Sequence, residues 1–230
     1  MTLKDEITTY ANKTFGTSWT VTDGRKVPTA DSSLGLGNEA VRLDAVVLYA
    51  DLADSTGLVR DKKWEFASEV YKTFVYTAAK CIRYRGGEVT AYDGDRVMGV
   101  FIGEGKESAA VRAGFELKGM VETAVMPELK KVWSGDFQLR HKVGIDASEV
   151  RVANTGIRGN TDYVWVGNAA NNAAKMAALS SDYATYVTKA VFSKLDRGLT
   201  HSDSGYEFFH RASYTGLTYD VYGSNAVIKY

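Results

Sequence analysis

Two aspartates stand where a metal ion could be held. Asp51 closes the apolar run Val46-Val47-Leu48-Tyr49-Ala50, and Asp95 lies in the turn-like Asp93-Gly94-Asp95. The run reads as a buried strand that emerges at its acid. A carboxylate on a strand end is carried by stiff backbone, which suits a site that fixes a divalent ion. A hard cation such as Mg²⁺ or Mn²⁺ takes oxygen ligands and keeps places for phosphate oxygens. Two such ions can activate a hydroxyl and clamp a triphosphate. Taken singly, each acid has a plainer reading. Asp54-Ser55-Thr56 are good helix N-caps, and Asp-Gly is a common hairpin turn. A third segment, Gly167 to Met176, places Asn171 and Lys175 one helical turn apart, on a shared face. An amide and a cation so placed could hold a ribose and a phosphate charge, or simply form a solvated polar face.

The elements that must carry these residues can be read from periodicity. Leu43 to Leu52 reads as a strand, and Trp64 to Tyr84 as a long helix with the stripe Phe66, Val70, Phe74, Thr77, Ala78 and Cys81. Arg85-Gly86-Gly87 stops that helix, because glycine supplies the left-handed cap. Glu88–Tyr92 and Arg96–Ile102 read as the arms of a hairpin around Asp93-Gly94-Asp95. Ser108 to Val132 reads as a helix broken or kinked at Pro127. Phe137 to Asp146 reads as a strand, with Glu149 to Asn154 as a second strand pairing with it. Tyr163 to Val166 follows as a short strand and Gly167 to Leu179 as a closely packed helix. Thr185 to Thr188 is strand-like, Ala190 to Leu195 a short helix, and Phe208–Arg211 with Thr218–Tyr222 a closing pair of strands. The order is βαββαβ with additions, an α+β plan with helices on one face of an antiparallel sheet. Residues 3–14 read as an amphipathic helix through Leu3, Ile7, Tyr10 and Ala11, and residues 15–40 as a polar arm or linker toward a partner subunit. The expected division is therefore 1–40, N-terminal helix and arm, and 41–230, a compact α+β domain.

Composition narrows the function classes. The 230 residues are 45% apolar, enough for a core, and the 28 basic side chains balance the 28 acidic ones. That balance offers no electrostatic footprint for nucleic acid or a membrane surface. The single cysteine, Cys81, fits a reducing compartment and reads as packing. No apolar run approaches the roughly 20 residues of a membrane span, and the N-terminus lacks a signal-peptide plan. The chain is expected to be soluble and cytoplasmic.

Taken together and in order, the three segments resemble class III nucleotide cyclases, the adenylate and guanylate cyclase superfamily, over about Leu43 to Tyr222. Tyr49-Ala50-Asp51-Leu52 stands where that family has Phe-Ala-Asp-Ile. Gly86-Gly87 through Gly94-Asp95-Arg96-Val97-Met98 resembles its second block, and Gly167 through Met176 its third. The resemblance implies a ferredoxin-like catalytic domain and a head-to-tail homodimer with shared active sites. It implies that Asp51 and Asp95, assisted by the Leu52 carbonyl, bind two Mn²⁺ or Mg²⁺ ions. Asn171 and Lys175 would come from the other subunit, Asn171 orienting the ribose and Lys175 stabilising charge on the phosphate.

The departures from the family pattern bear on the substrate. Adenylate cyclases carry a lysine four residues before the second metal acid, where this chain has Ala91. Their second adenine-reading residue falls where this chain has Val164. Losing partners for a base at a polar site can cost orders of magnitude in discrimination. Lys175 replaces an arginine and loses its bidentate fork. Thr215 replaces a phosphate-binding lysine, which leaves Arg96 or Arg211 to meet the triphosphate. Tyr49 and Arg96 resemble the pyrimidine cyclases of the Pycsar anti-phage system. Tyr49 could narrow a pyrimidine pocket or serve as core packing. Arg96 could donate to a pyrimidine carbonyl or be a solvated hairpin residue. An arginine donor suits uracil's two carbonyls better than cytosine, so the expected reaction is UTP to cyclic UMP. The alternatives are CTP to cyclic CMP, a purine cyclase with an unusual pocket, and a degenerate nucleotide sensor.

Overall fold

The computed structural model describes residues 1–230 apart from Ala30, Asp31, Ser33, Ser181, Asp182, Thr215 and Tyr230. In chain order the elements are α1 (Leu3–Gly16), β1 (Thr20–Asp23), β2 (Glu39–Leu52), α2 (Ser55–Asp61) and α3 (Trp64–Tyr84). The hairpin β3 (Glu88–Asp93) and β4 (Arg96–Ile102) follows, then α4 (Lys106–Met120) and α5 (Met126–Val132). After β5 (His141–Ile157) and β6 (Asn160–Val166) come α6 (Asn168–Ala177), β7 (Thr185–Thr188), α7 (Lys189–Phe192), α8 (Arg197–Thr200), β8 (His210–Ala212) and β9 (Val221–Ser224).

One sheet runs β3-β4-β2-β5-β7-β9-β8, with β1 beside β2 and β6 beside β5. The β2, α3, β3, β4, α4 and β5 segment is the expected βαββαβ unit, and its strands pair antiparallel. β5 and β7 are parallel, as are β1 and β2. β2 alternates between two cores, as a strand in the middle of a sheet must. Val46, Leu48, Ala50 and Leu52 face α3 and α4 through Phe74, Ala78, Ile82 and Val111. Leu43, Ala45 and Val47 face the other side, where Ala169, Ala170 and Ala173 of α6 pack. Helices therefore cover both faces of the sheet, rather than the one face expected, because α6 folds back beneath β5.

α6 can lie so close because the strand beneath it carries a glycine at the point of contact. A Cβ placed on Gly144 of β5 would stand 2.1 Å from the Ala173 carbonyl and 2.8 Å from the Ala177 amide nitrogen. The Ser148 hydroxyl accepts from the Ala169 amide at 3.0 Å, pinning the first turn of α6 to the same strand.

Three expectations need correction. Residues 137–140 lie outside strand structure, and no second strand starts at Glu149. Instead β5 runs unbroken for 17 residues. Ala147-Ser148-Glu149 contains no glycine or proline to turn the chain, and β2 pairs with it from His141 to Val152. Nor does Pro127 break its helix. A π-turn over Val121–Val125 precedes it, and the Met126 amide reaches the Val121 carbonyl. The widened turn takes up the lost donor of the proline at the start of α5. The third is the helix expected over Ala190–Leu195, which is shorter and starts at Lys189.

The α3 stripe packs as its spacing predicts, with Phe66, Val70, Phe74, Ala78 and Cys81 buried. Burial pushes the Cys81 thiol up to about 12, as expected for a packing residue. Part of the expected arm is laced to the body. β1 extends the sheet, Val27 is buried in the α6-side core, and the Tyr163 hydroxyl donates to the Thr29 carbonyl at 3.0 Å. Among the described residues no helix is long and apolar enough to cross a membrane.

His141 opens β5 inside the α3/α4 core, beside the Phe74 ring, with Nε2 buried and unpaired. Burial lowers its pKa to about 3. The unfolded chain, with histidine near 6.5, then takes up the proton first, so stability falls as pH drops from 6.5 toward 3. Replacing His141 with Leu should flatten that fall by ~1.4 kcal/mol per pH unit, read as urea midpoints between pH 6.5 and 4.5. Gly144→Ala should force α6 off β5 and cost about 1–3 kcal/mol by urea denaturation.

Candidate active site

β2 and the β3–β4 hairpin bring the two aspartates together. Asp51 pairs in register with Arg96, and the Leu52 amide donates to the Asp95 carbonyl at 3.3 Å. Asp93 pairs with Arg96 across a two-residue loop, so Asp95 sits at the hairpin tip, after Gly94 in the left-handed region at φ 60°. Burial, reinforced by the Asp95 charge, pushes the Asp51 carboxyl up to about 6, while Arg96 pulls the other way. A desolvated carboxylate such as Asp51, beside a second acid, is a donor whose charge a hard cation would relieve. Among the described residues no third histidine, cysteine or acid joins them in a cluster.

Asp51, Leu52, Asp95 and Arg96 line one open cleft of about 810 Å³. Its far wall is the end of α6 with Ala177, Ala178 and Leu179, and its rim carries Arg140 and Lys142. The turn from β2 into α2 completes it with Asp54, the one non-glycine among the described residues at positive φ, 58°. The Asp54 side chain makes no cap bond to α2, so the sequence expectation of a cap fails for it. A left-handed backbone turns that carboxylate over Gly57 instead, where a Cβ would lie 2.5 Å from Oδ1.

Tyr49 and Ala91, the positions expected near the base, lie in a row on the α6-side face of the sheet and do not line the cleft. Tyr49 pairs with Met98, and Met98 pairs with Ala91. The register shifts between Val89 and Ala91, a bulge that sets which way Ala91 faces. Ala91 and Tyr49 pack against the α6-side core. Burial raises the Tyr49 phenol, and Arg96 lowers it, so the guanidinium lies within electrostatic reach of both Tyr49 and Asp51. Arg96 also pairs with Asp93 at 3.5 Å.

Other expected site residues lie apart. Asn171 and Lys175 are exposed on the outer side of α6, away from Ala169, Ala173 and Met176, and do not line the cleft. Val164 lies on β6, opposite Ala153 and 42% exposed. Arg211, a candidate for the triphosphate, is held by Asp220 at 2.6 Å and is absent from the cleft. Thr215 lies outside the described residues. Reading by motif missed Arg140 and Lys142. Arg140 makes no ion pair among the described residues, while the Lys142 ammonium donates to the Tyr183 carbonyl at 2.7 Å. The alternation of Arg140, His141 and Lys142 at the start of a strand was the available signal, since it puts both cations on the face opposite His141.

α6 is oriented by a buried acid. Asp146 of β5 is 4% exposed and accepts from Asn172 Nδ2 at 2.8 Å and from Thr188 Oγ1 at 2.5 Å. Asn172 adjoins Asn171, so this bond sets the roll of the helix face that carries Asn171 and Lys175.

The sheet and its helices have the fold of class III nucleotide cyclase catalytic domains, as solved structures show. The chain superposes on a bacterial light-regulated adenylyl cyclase with a TM-score of 0.65 at 21% identity, covering 80% of this chain and 91% of that one. For the guanylyl cyclase Cya2 the TM-score is 0.67 at 19% identity, with 81% and 93% covered. No family model matches the chain. Sequence relatives show the family. A uridylate cyclase of Xanthomonas perforans is 48% identical over 85% of this chain and 84% of its own. One of Burkholderia cepacia is 43% identical over 88% and 89%. The chain belongs to the uridylate cyclase family, and it is an enzyme, a nucleotide cyclase of the phosphorus–oxygen lyase class.

Asp146→Ala should leave buried hydroxyl and amide groups unpaired and cost about 2–3 kcal/mol in urea unfolding, whereas Asp146→Asn should cost less.

Proposed function

We propose that the chain converts UTP to 3′,5′-cyclic UMP and pyrophosphate at a site shared by two copies, using two divalent ions. The observation that carries this reading is the meeting of Asp51 and Asp95 in one cleft, in a chain 48% identical to a uridylate cyclase. Asp51 and Asp95, with the Leu52 carbonyl, would hold Mn²⁺ or Mg²⁺. When bound, the ions supply charge neutralisation for the triphosphate and acidify the 3′-hydroxyl.

The side chains do the rest. Arg140 and Lys142 on the rim draw the triphosphate into the cleft, which answers for the lysine missing at position 215. Asn171 and Lys175 of a second copy face the cleft of the first, which explains why both are exposed on a well-packed helix. That asparagine orients the ribose. The 3′-oxygen then attacks the α-phosphorus in line as the bond to the pyrophosphate oxygen breaks, and the hydroxyl proton is lost. Lys175 meets the negative charge that develops on the phosphoryl oxygens.

Tyr49 and Ala91, joined in register through the buried Met98, offer a base an aromatic ring and a small apolar side chain, without the hydrogen-bonding pair that reads adenine. Val164, apolar and exposed, fits the same reading if it faces the base across the dimer. Arg96, next to Tyr49, is the donor for a uracil carbonyl. The product would serve as a second messenger, in keeping with the Pycsar anti-phage system that the sequence resembles.

Incubation with UTP, CTP, ATP or GTP and Mn²⁺, with products read by mass spectrometry, should yield chiefly cyclic UMP. Cyclic CMP as main product would replace the substrate, and cyclic AMP would overturn the pyrimidine reading. Chelation should abolish turnover, and Asp51→Ala should lower it by about 10³-fold or more. Mixing inactive Asp51→Ala and Asn171→Ala proteins should restore about a quarter of wild-type activity, the share of intact sites when two-fold dimers exchange subunits. Failure to recover activity in demonstrated heterodimers would overturn the shared site.

A further inference from the structure

α1 is a well-made helix whose apolar side is exposed. A capping box starts it, with the Asp5 amide donating to Thr2 Oγ1 at 3.2 Å and the Thr2 amide donating to the Asp5 carboxylate at 2.9 Å. None of its 14 residues is buried. Leu3 is 73% exposed, Ile7 58% and Tyr10 57%. The helix is tied to the body at its C-terminal end, where Asn38 Nδ2 donates to the carbonyls of Thr14 at 2.8 Å and Thr17 at 2.6 Å. An isolated helix of this length is marginal in water, so tertiary or quaternary packing must supply the rest of its stability.

We propose that α1 packs antiparallel against α1 of a second copy of this chain. Leu3, Ile7, Tyr10 and Thr14 follow one another at steps of four, three and four residues, the spacing that keeps a seam turned to one partner helix. Charge decides both the partner and the direction. Glu6 and Lys13 lie seven residues apart on the same flank of that seam. In an antiparallel pair centred between Ile7 and Tyr10, Glu6 of each copy faces Lys13 of the other, and the two helix dipoles oppose. A parallel pair sets Glu6 against Ala11 and gains neither. The helix is thus complementary to itself about a two-fold axis, the symmetry of an isologous contact.

The seam is about 21 Å long and spans two heptads. Two such helices bury less than the roughly 1,200 Å² of a standard stable interface. α1 therefore adds to a larger contact between copies and does not make a dimer alone. In this respect the proposal rests on the dimeric reading above.

The test uses the full-length protein and its dimer dissociation constant, measured by analytical ultracentrifugation at low salt. Glu6→Lys or Lys13→Glu alone should raise that constant about fivefold to tenfold, since each change sets like charges together twice. The double variant, Glu6→Lys with Lys13→Glu, should return to within about twofold of wild type. It places a base near the helix N-terminus and an acid near the C-terminus, which weakens the isolated helix. Rescue can therefore come only from pairing between copies. Ile7→Asp should weaken the dimer further, with an unchanged melting temperature for the body. Single variants that weaken without rescue, or variants that all dimerise like wild type while still making product, overturn the α1 contact and leave the shared site standing. A wild-type chain that turns over as a monomer overturns both.

Discussion

The active cleft depends on how β2 is seated between β4 and β5. The β2–β4 ladder ends with Asp51 opposite Arg96 and the Leu52 amide on the Asp95 carbonyl. That pairing brings a strand-end carboxylate beside one at a hairpin tip, against their mutual repulsion and the cost of partial burial. Local segments could not hold such a pair, since each acid alone would turn toward water. The strain is visible in Asp51, held up at about 6, and in the left-handed Asp54 three residues on. Rigid backbone on three neighbouring strands holds the charges where a dication would be attracted, so little reorganisation is left for the moment of binding.

The two faces of the sheet play different parts. On one face α3 and α4 close a large apolar core, which fixes β2 and the hairpin and reaches the cleft through Leu52. On the other, α6 lies so near β5 that Gly144 has no room for a side chain. Its alanines face inward, and the Asp146–Asn172 bond fixes its roll, so Asn171 and Lys175 have only the outside left to them. A helix packed this tightly cannot swing those groups into its own cleft. The closeness of α6 to its sheet is thus the physical reason for proposing a second copy.

The N-terminal segment follows a related logic at lower stakes. Residues around β1 and Val27 are bound to the α6-side sheet face and to Tyr163. α1 instead presents its apolar stripe outward, with a flank that complements only an inverted copy of itself. The chain proposed to take a partner's helix at its cleft thus also exposes, in α1, a helix suited to pairing.

The sequence alone determined the strand that ends at Asp51, the hairpin that carries Asp95, the stripe of α3 and the alanine-rich face of α6. Each is a matter of local period and turn chemistry, in which neighbouring residues hold the whole signal. The tertiary structure decided what periodicity could not. It ran β5 straight through Ala147-Ser148-Glu149, because β2 supplies hydrogen bonds along that whole length, and it carried the helix past Pro127 by widening one turn. It placed α6 on the far face of the sheet, and it put Arg140 and Lys142 on the rim of a cleft whose acids lie some fifty to ninety residues earlier. Those outcomes rest on contacts between residues distant in the chain, whose energies no local pattern records.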